Sequence, residues 1–181
     1  MTSRSSVAPA MHAQMRAPER ALAALRIVVG LWFLKGVVTK LGIVMLGGII
    51  PVPGASARWL AVGPKLIARY AADNPIDFYR NFVLDTVLPH GHLFANLTAL
   101  GESAVGIGLT LGLLTVLSSG IALWLVINYG LLTGYIGTSQ QGFHILLAAC
   151  LIVFIITRAG RRWGLDGRLR DRAPGWLRAL M

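Results

Sequence analysis

One carboxylate, Glu102, sits inside the apolar run GESAVGIGLTLGLLT, where an ionised group is costly unless it is paired, protonated or beside a polar cavity. On a helix it lies about 100° around from the stripe Gly101, Ala104, Gly108 and Gly112, and such small residues let a neighbouring helix come close in lipid. Glu102 is therefore expected to face a neighbour, about nine residues or ~13 Å below the end of its run. The first apolar run offers cations: Arg26, Gly30, Phe33, Val37 and Lys40 recur at steps of four and three and share one face, while Lys35 points nearly opposite. A later run adds the hydrogen-bonding groups Asn128 and Tyr129 beside a second small pair, Gly130 and Gly134. Two chemistries are open to this set. The carboxylate serves a functional site by exchanging protons, or it forms an ion pair that fixes helix register.

Other chemistry is poorly supported. His90, His92 and His144 all fall near one end of the runs, but neither HGH nor a lone histidine is a ligand signature, so no metal is assigned and a haem or pigment held by this chain alone is not expected. The single cysteine, Cys150, excludes an internal disulfide and a thiolate cage, and reads as a small buried packing residue. No nucleotide loop, CxxC, HExxH or Ser-His-Asp order is present.

The elements that must position these residues are membrane helices. Over 181 residues the chain is 55% hydrophobic and 13% charged, against about 25% charged for a soluble domain. The mean hydropathy is +0.66. Four apolar runs approach the roughly 20 residues that cross a bilayer. The first starts at Ala21, with apolar residues continuing as far as Ile50, and the others cover about Leu93 to Leu117, Ile121 to Ile136 and Phe143 to Thr157. Backbone groups in lipid must pair internally, so the expected fold is all-α, an integral membrane four-helix bundle. Its parts are a polar tail over 1–20, a membrane domain over 21–157 and a basic tail over 158–181.

The net charge of +10 is placed as a membrane anchor and does not indicate nucleic acid. Arg158, Arg161, Arg162, Arg168, Arg170, Arg172 and Arg178 follow the last run, and Arg4, Arg16 and Arg20 precede the first. With an even number of spans, both termini are expected in the cytoplasm. The turn at Ser118 and Ser119 is then cytoplasmic, and the TSQQG loop and the long loop over about 47–92 are external. The long loop is broken by Pro51, Pro53 and Gly54. After Asn74-Pro75, residues Ile76, Tyr79, Phe82, Val83 and Val87 recur at three- and four-residue steps, an amphipathic helix that caps the bundle or lies on the membrane.

The first span LRIVVGLWFLKGVVTKLG, the glutamate span and the ending QGFHILLAACLIVFIITRAGRRWGLDGRL resemble the DoxX family of small four-helix membrane proteins, and DoxD, the thiosulfate:quinone oxidoreductase membrane subunit. The likeness runs from about Leu25 to Leu169 and rests mostly on Arg26, Lys40, Glu102, Gly106 and Gly112. It implies a multi-pass protein of a bacterial inner membrane that serves redox metabolism among other membrane subunits. It also brings a quinone into consideration at Glu102, Arg26, Lys40, Asn128 and Tyr129. The chain has neither the thiols nor the flavin motif to oxidise sulfur alone. The competing reading is a non-catalytic accessory or scaffold subunit of a larger respiratory or photosynthetic complex.

Overall fold

A computed structural model describes residues 7–181. The first six, including Arg4 of the expected N-terminal tail, lie outside the described residues. Four helices are long and apolar enough to cross a membrane: Ala17–Thr39, Gly91–Leu111, Thr115–Ile136 and Thr138–Thr157. They belong to α1 (Val7–Thr39), α4 (Gly91–Leu111), α5 (Thr115–Thr133, prolonged by a 3-10 turn over Gly134–Ile136) and α6 (Thr138–Thr157). The fold is the all-α membrane bundle. Helix α1 starts within the stretch read as a polar tail, with Pro18 inside it.

Helices α1 and α4 are in intimate contact. A Cβ on Gly106 would stand 2.5 Å from the Leu34 nitrogen, and one on Gly30 would stand 2.5 Å from the Thr110 nitrogen, so both glycines are needed for the backbones to approach. The expected stripe works differently. Gly108 faces the Ser118 side chain, Gly101 has only Leu125 Cδ1 at 3.6 Å, Gly130 has His144 Cβ at 3.4 Å, and Gly134 has open space. Gly112 ends α4 in the left-handed region at φ 63°. The bundle core is apolar, built around Val29, Phe33, Val105, Leu109, Val126, Leu151 and Phe154.

The apolar residues after Lys40 do not prolong the first span. Leu41–Leu46 (β1) and Ile50–Ala55 (β2) form an antiparallel hairpin, with Leu41 opposite Ala55 and Leu46 opposite Ile50. Gly47 and Gly48 take φ of 62° and 79° to make the turn, and Pro51 and Pro53 cannot continue a helix. The hairpin has one blocked edge. Ser56 N donates to Lys40 O at 2.8 Å, so even-numbered β1 residues bond across the pair and the odd-numbered ones face outwards. On β2 the outward positions are Pro51 and Pro53, which have no N–H, and Ala55, whose N–H donates to Asn96 Oδ1 of α4 at 2.8 Å.

Helix α2 (Ala57–Ala72), helix α3 (Asp77–Phe82) and one π turn (Val83–Val87) complete the loop. Tyr79, Val83 and Val87 pack with Ala71 and Leu132, flanked by Ile76 and Phe94, so the amphipathic segment caps the bundle. Buried Asn74 fastens it, donating to Leu131 O at 2.8 Å.

Two expected turns move. The turn between α4 and α5 is Gly112–Leu114, and Ser118 and Ser119 are buried inside α5. Helix α5 starts at Thr115 without a local capping side chain because its cap comes from 51 residues away: Asp166 accepts from Leu114 N at 2.7 Å and Thr115 N at 2.8 Å. The TSQQG segment is the first turn of α6, and the connection is made before it by the 3-10 turn and Gly137. The basic tail is folded, with α7 (Leu165–Leu169) and α8 (Gly175–Ala179), and Leu117 N donates to Leu180 O at 3.2 Å.

Candidate functional site

Helix α1 runs antiparallel to α4, which brings Gly36 against the Glu102 side chain and sets Lys40, one turn on, beside the carboxylate. Lys40 Nζ lies 2.6 Å from Glu102 Oε1. From α5, Tyr129 donates its hydroxyl to the same oxygen at 2.5 Å. One carboxylate oxygen thus joins three elements. Glu102 is buried, and the Lys40 side chain is one-fifth exposed.

The ammonium has a further neighbour. Lys40 Nζ sits 4.5 Å from the centre of the Trp59 ring, a cation–π contact, and Trp59 Nε1 donates to Ala95 O at 3.2 Å. Ser56 caps α2 by accepting from Trp59 N at 3.2 Å, so the hairpin and α2 together aim the indole at the lysine.

A cavity of about 730 Å³ opens on this cluster. Lys40 and Tyr129 lie in its wall with Gly101, Ala104, Trp124 and Tyr79, the last contributed by the cap. Because Gly101 and Ala104 carry almost no side chain, the slot between α4 and α5 stays open. Leu97 and Trp124, also in the wall, are 54% and 67% exposed, so the cavity faces sideways to the surface that meets lipid. Tyr79 OH donates to Asn128 O at 3.0 Å, and burial pushes its phenol up to about 12. A smaller cavity of about 210 Å³ lies on the α1 and α6 side, where Glu102 itself is in the wall with Trp32, Phe143 and His144.

The other anticipated residues are placed as follows. Arg26 is not at Glu102. It is fully buried about four turns earlier in α1, towards the tail end of the bundle, donating to Ala159 O at 2.8 Å, Arg162 O at 3.3 Å and Trp163 O at 3.2 Å. The reason is helical rise: the 14 residues from Arg26 to Lys40 span about 21 Å, so a shared face does not mean a shared depth. Asn128 reaches the large cavity but bonds Trp124 O through Nδ2. His90 Nδ1 bonds Thr86 O and His144 Nδ1 bonds Gln140 O, while His92 is exposed. Among the described residues no group of three or more His, Cys, Asp or Glu could hold a metal ion. Cys150 is half-buried beside the core. Sequence reasoning missed Trp59, Gly36 and the role of Tyr79; only the position of Tyr79 on the amphipathic face hinted at a part in the site.

The family described as "TQO small subunit DoxD" matches residues 21–179. The chain belongs to this family. No curated protein and no solved structure matches it. In this DoxD-family chain the match takes in the first span from Ala21, the other three spans, the hairpin, the cap and both tail helices, so the Lys40–Glu102–Tyr129 cluster and the Arg26 anchor both lie inside the family's extent.

Proposed function

We propose that this chain is a redox-related membrane subunit that holds a membrane-dissolved quinone in the cavity between α4 and α5, its headgroup at Lys40 and Tyr129. The observation that carries this reading is the 730 Å³ apolar slot that faces lipid and ends on two hydrogen-bond donors backed by a carboxylate. A quinone has that form: a greasy body with two carbonyl oxygens that need donors. Lys40 keeps N–H groups beyond the one on Glu102 to donate to a carbonyl, Tyr129 donates to it by turning its single O–H away from Glu102, and Glu102 stays paired with Lys40 and exchanges protons through the smaller cavity behind it. Electrons come from a partner subunit, as the family description "TQO small subunit" suggests. We also place the protein in a bacterial inner membrane with both termini in the cytoplasm, on the basis of the arginine-rich tail.

The test is titration of the purified protein in mild detergent with a short-chain quinone, read by quenching of tryptophan fluorescence, since Trp59 and Trp124 line the slot. Gly101→Leu, whose Cβ would meet Leu125 Cδ1 at 3.6 Å, fills the slot while leaving the Lys40 and Tyr129 side chains unaltered in sequence, and should weaken binding about tenfold or more. Tyr129→Phe should weaken it less, by about the value of one hydrogen bond. Unchanged saturation in Gly101→Leu would overturn the reading.

The accessory-subunit reading is supported by a different feature. Strand β1 leaves its outward N–H groups at Leu41 and Ile43 without a neighbouring strand, beside exposed Ile43, Val44 and Met45, and such an edge accepts a partner.

A further inference from the structure

The end of the bundle away from Glu102 is built to hold arginines in place. Residues 158–181 contain seven arginines and two aspartates, Asp166 and Asp171. Asp166 is fully buried with both oxygens occupied by the backbone of Leu114 and Thr115. Among the described residues the salt bridges are Lys40 with Glu102 and Arg80 with Asp77, so none of the seven tail arginines is paired.

A positive anchor needs no fold, yet this one has one. Buried Arg26 grips the carbonyls of Ala159, Arg162 and Trp163, Asp166 is fixed to the start of α5, and Met181 is buried. Arg158 donates to Arg178 O at 2.8 Å, and Arg178 Nε donates to Ala173 O at 2.7 Å. Among the described residues, all three non-glycine residues at positive φ, Leu114, Arg158 and Trp163, stand at this end, a strained backbone over-determined by those contacts. Arg161 N donates to Arg158 O at 3.1 Å, and α7 packs so close that a Cβ on Gly167 would meet the Arg161 carbonyl, one turn before Arg170, so the three arginines leave one small patch of backbone. Trp163 and Trp176 are 59% and 70% exposed on the same segment, directly after the lipid-facing Ile152 and Ile156 of α6. Exposed tryptophans and unpaired arginines at the end of a span belong at the headgroup level.

We propose that the folded tail is a binding site for anionic phospholipids, in which Arg158, Arg161 and Arg170 hold the headgroup phosphate and Trp163 and Trp176 rest among the acyl carbonyls. The occupant is chosen by charge and place. Three unpaired guanidiniums rooted in one patch call for an anion with several acceptor oxygens, and the leaflet beside them supplies phosphate diesters at high local concentration.

The test is native mass spectrometry of the full-length protein in a neutral detergent, titrated with phosphatidylglycerol or with phosphatidylcholine. The wild type should retain phosphatidylglycerol at about tenfold lower concentration than phosphatidylcholine. The double variant Arg161→Gln and Arg170→Gln, which leaves the Arg158 contact to the Arg178 carbonyl intact, should lose most of that preference while keeping its melting temperature. A matched double variant at the other end, Lys65→Gln and Arg69→Gln, should keep it. Millimolar glycerol phosphate should not displace the lipid; if it does so fully, the site is one for free phosphate and the proposal fails. Equal retention of both lipids by the wild type, or equal loss in both double variants, would also overturn it.

Discussion

Glu102 presents one oxygen, Oε1, to both Lys40 and Tyr129, and this sets what its replacement does. Glu102→Gln leaves the Lys40 ammonium without its counter-charge, which should destabilise the bundle by about 3 kcal/mol, the lower end for breaking a buried pair because Lys40 is one-fifth exposed and rests on Trp59. Lys40→Met should be costly for the reciprocal reason. The double variant Glu102→Gln with Lys40→Met removes both charges and should recover at least about half of the summed loss. Denaturation of the four proteins in one detergent gives the coupling, and strict additivity would show that the pair contributes no register. Glu102 and Lys40 were legible as candidates because carboxylate and ammonium are conspicuous in apolar runs. Trp59 was not, since nothing in its neighbourhood ARWLAVG shows that a hairpin folds it back over the lysine.

At the scale of elements, the cap position before α5 is Leu114, a residue with no capping side chain and a φ of 47°. The first N–H groups here are satisfied by Asp166, so the start of a membrane helix depends on a side chain from the tail. Asp166→Ala should leave one buried and one partly buried donor unpaired and cost about 2 to 4 kcal/mol, more than an ordinary exposed cap. The same variant should also free the tail. Limited proteolysis after Arg168 or Arg170 should accelerate in Asp166→Ala, while the four spans stay protected. Unchanged cleavage would mean that Arg26 alone holds the segment. This cap was invisible to local reasoning, which looks for Ser, Thr, Asp or Asn just before a helix, and the break between the apolar runs put the turn at Ser118 and Ser119 instead. The hairpin was missed for a related reason: LGIVMLGGII is as apolar as a span, and only the pairing with IPVPGA makes it a strand.

For the whole molecule, the two ends of the bundle differ in kind. One carries the hairpin, the cap and the Lys40–Glu102–Tyr129 cluster; the other carries the arginine-rich tail. If the tail faces the cytoplasm, a cysteine at exposed Ser139, in a Cys150→Ala background, should react with an impermeant thiol reagent added to intact cells, and one at exposed Gly175 should react only after lysis. The reverse pattern would put the Lys40–Glu102 end of the proposed quinone slot towards the cytoplasm. It would also remove the basis for reading the tail as an inner-leaflet anchor.

The sequence by itself determined the membrane class, the number of spans, an amphipathic segment in the long loop and the presence of a carboxylate that must be paired, protonated or beside a polar cavity, because each follows from local composition or from a 3.6-residue period. The tertiary structure alone decided that a cation pairs it, and which one. Arg26 and Lys40 share a face of α1, and only the depth at which α1 crosses α4, set by the close approaches at Gly30 and Gly106, puts Lys40 at Glu102 and Arg26 among the tail carbonyls. It also decided that Gly101 opens a cavity instead of closing a helix contact, since a small residue permits either outcome and the neighbour that arrives, here Leu125 at 3.6 Å, selects one.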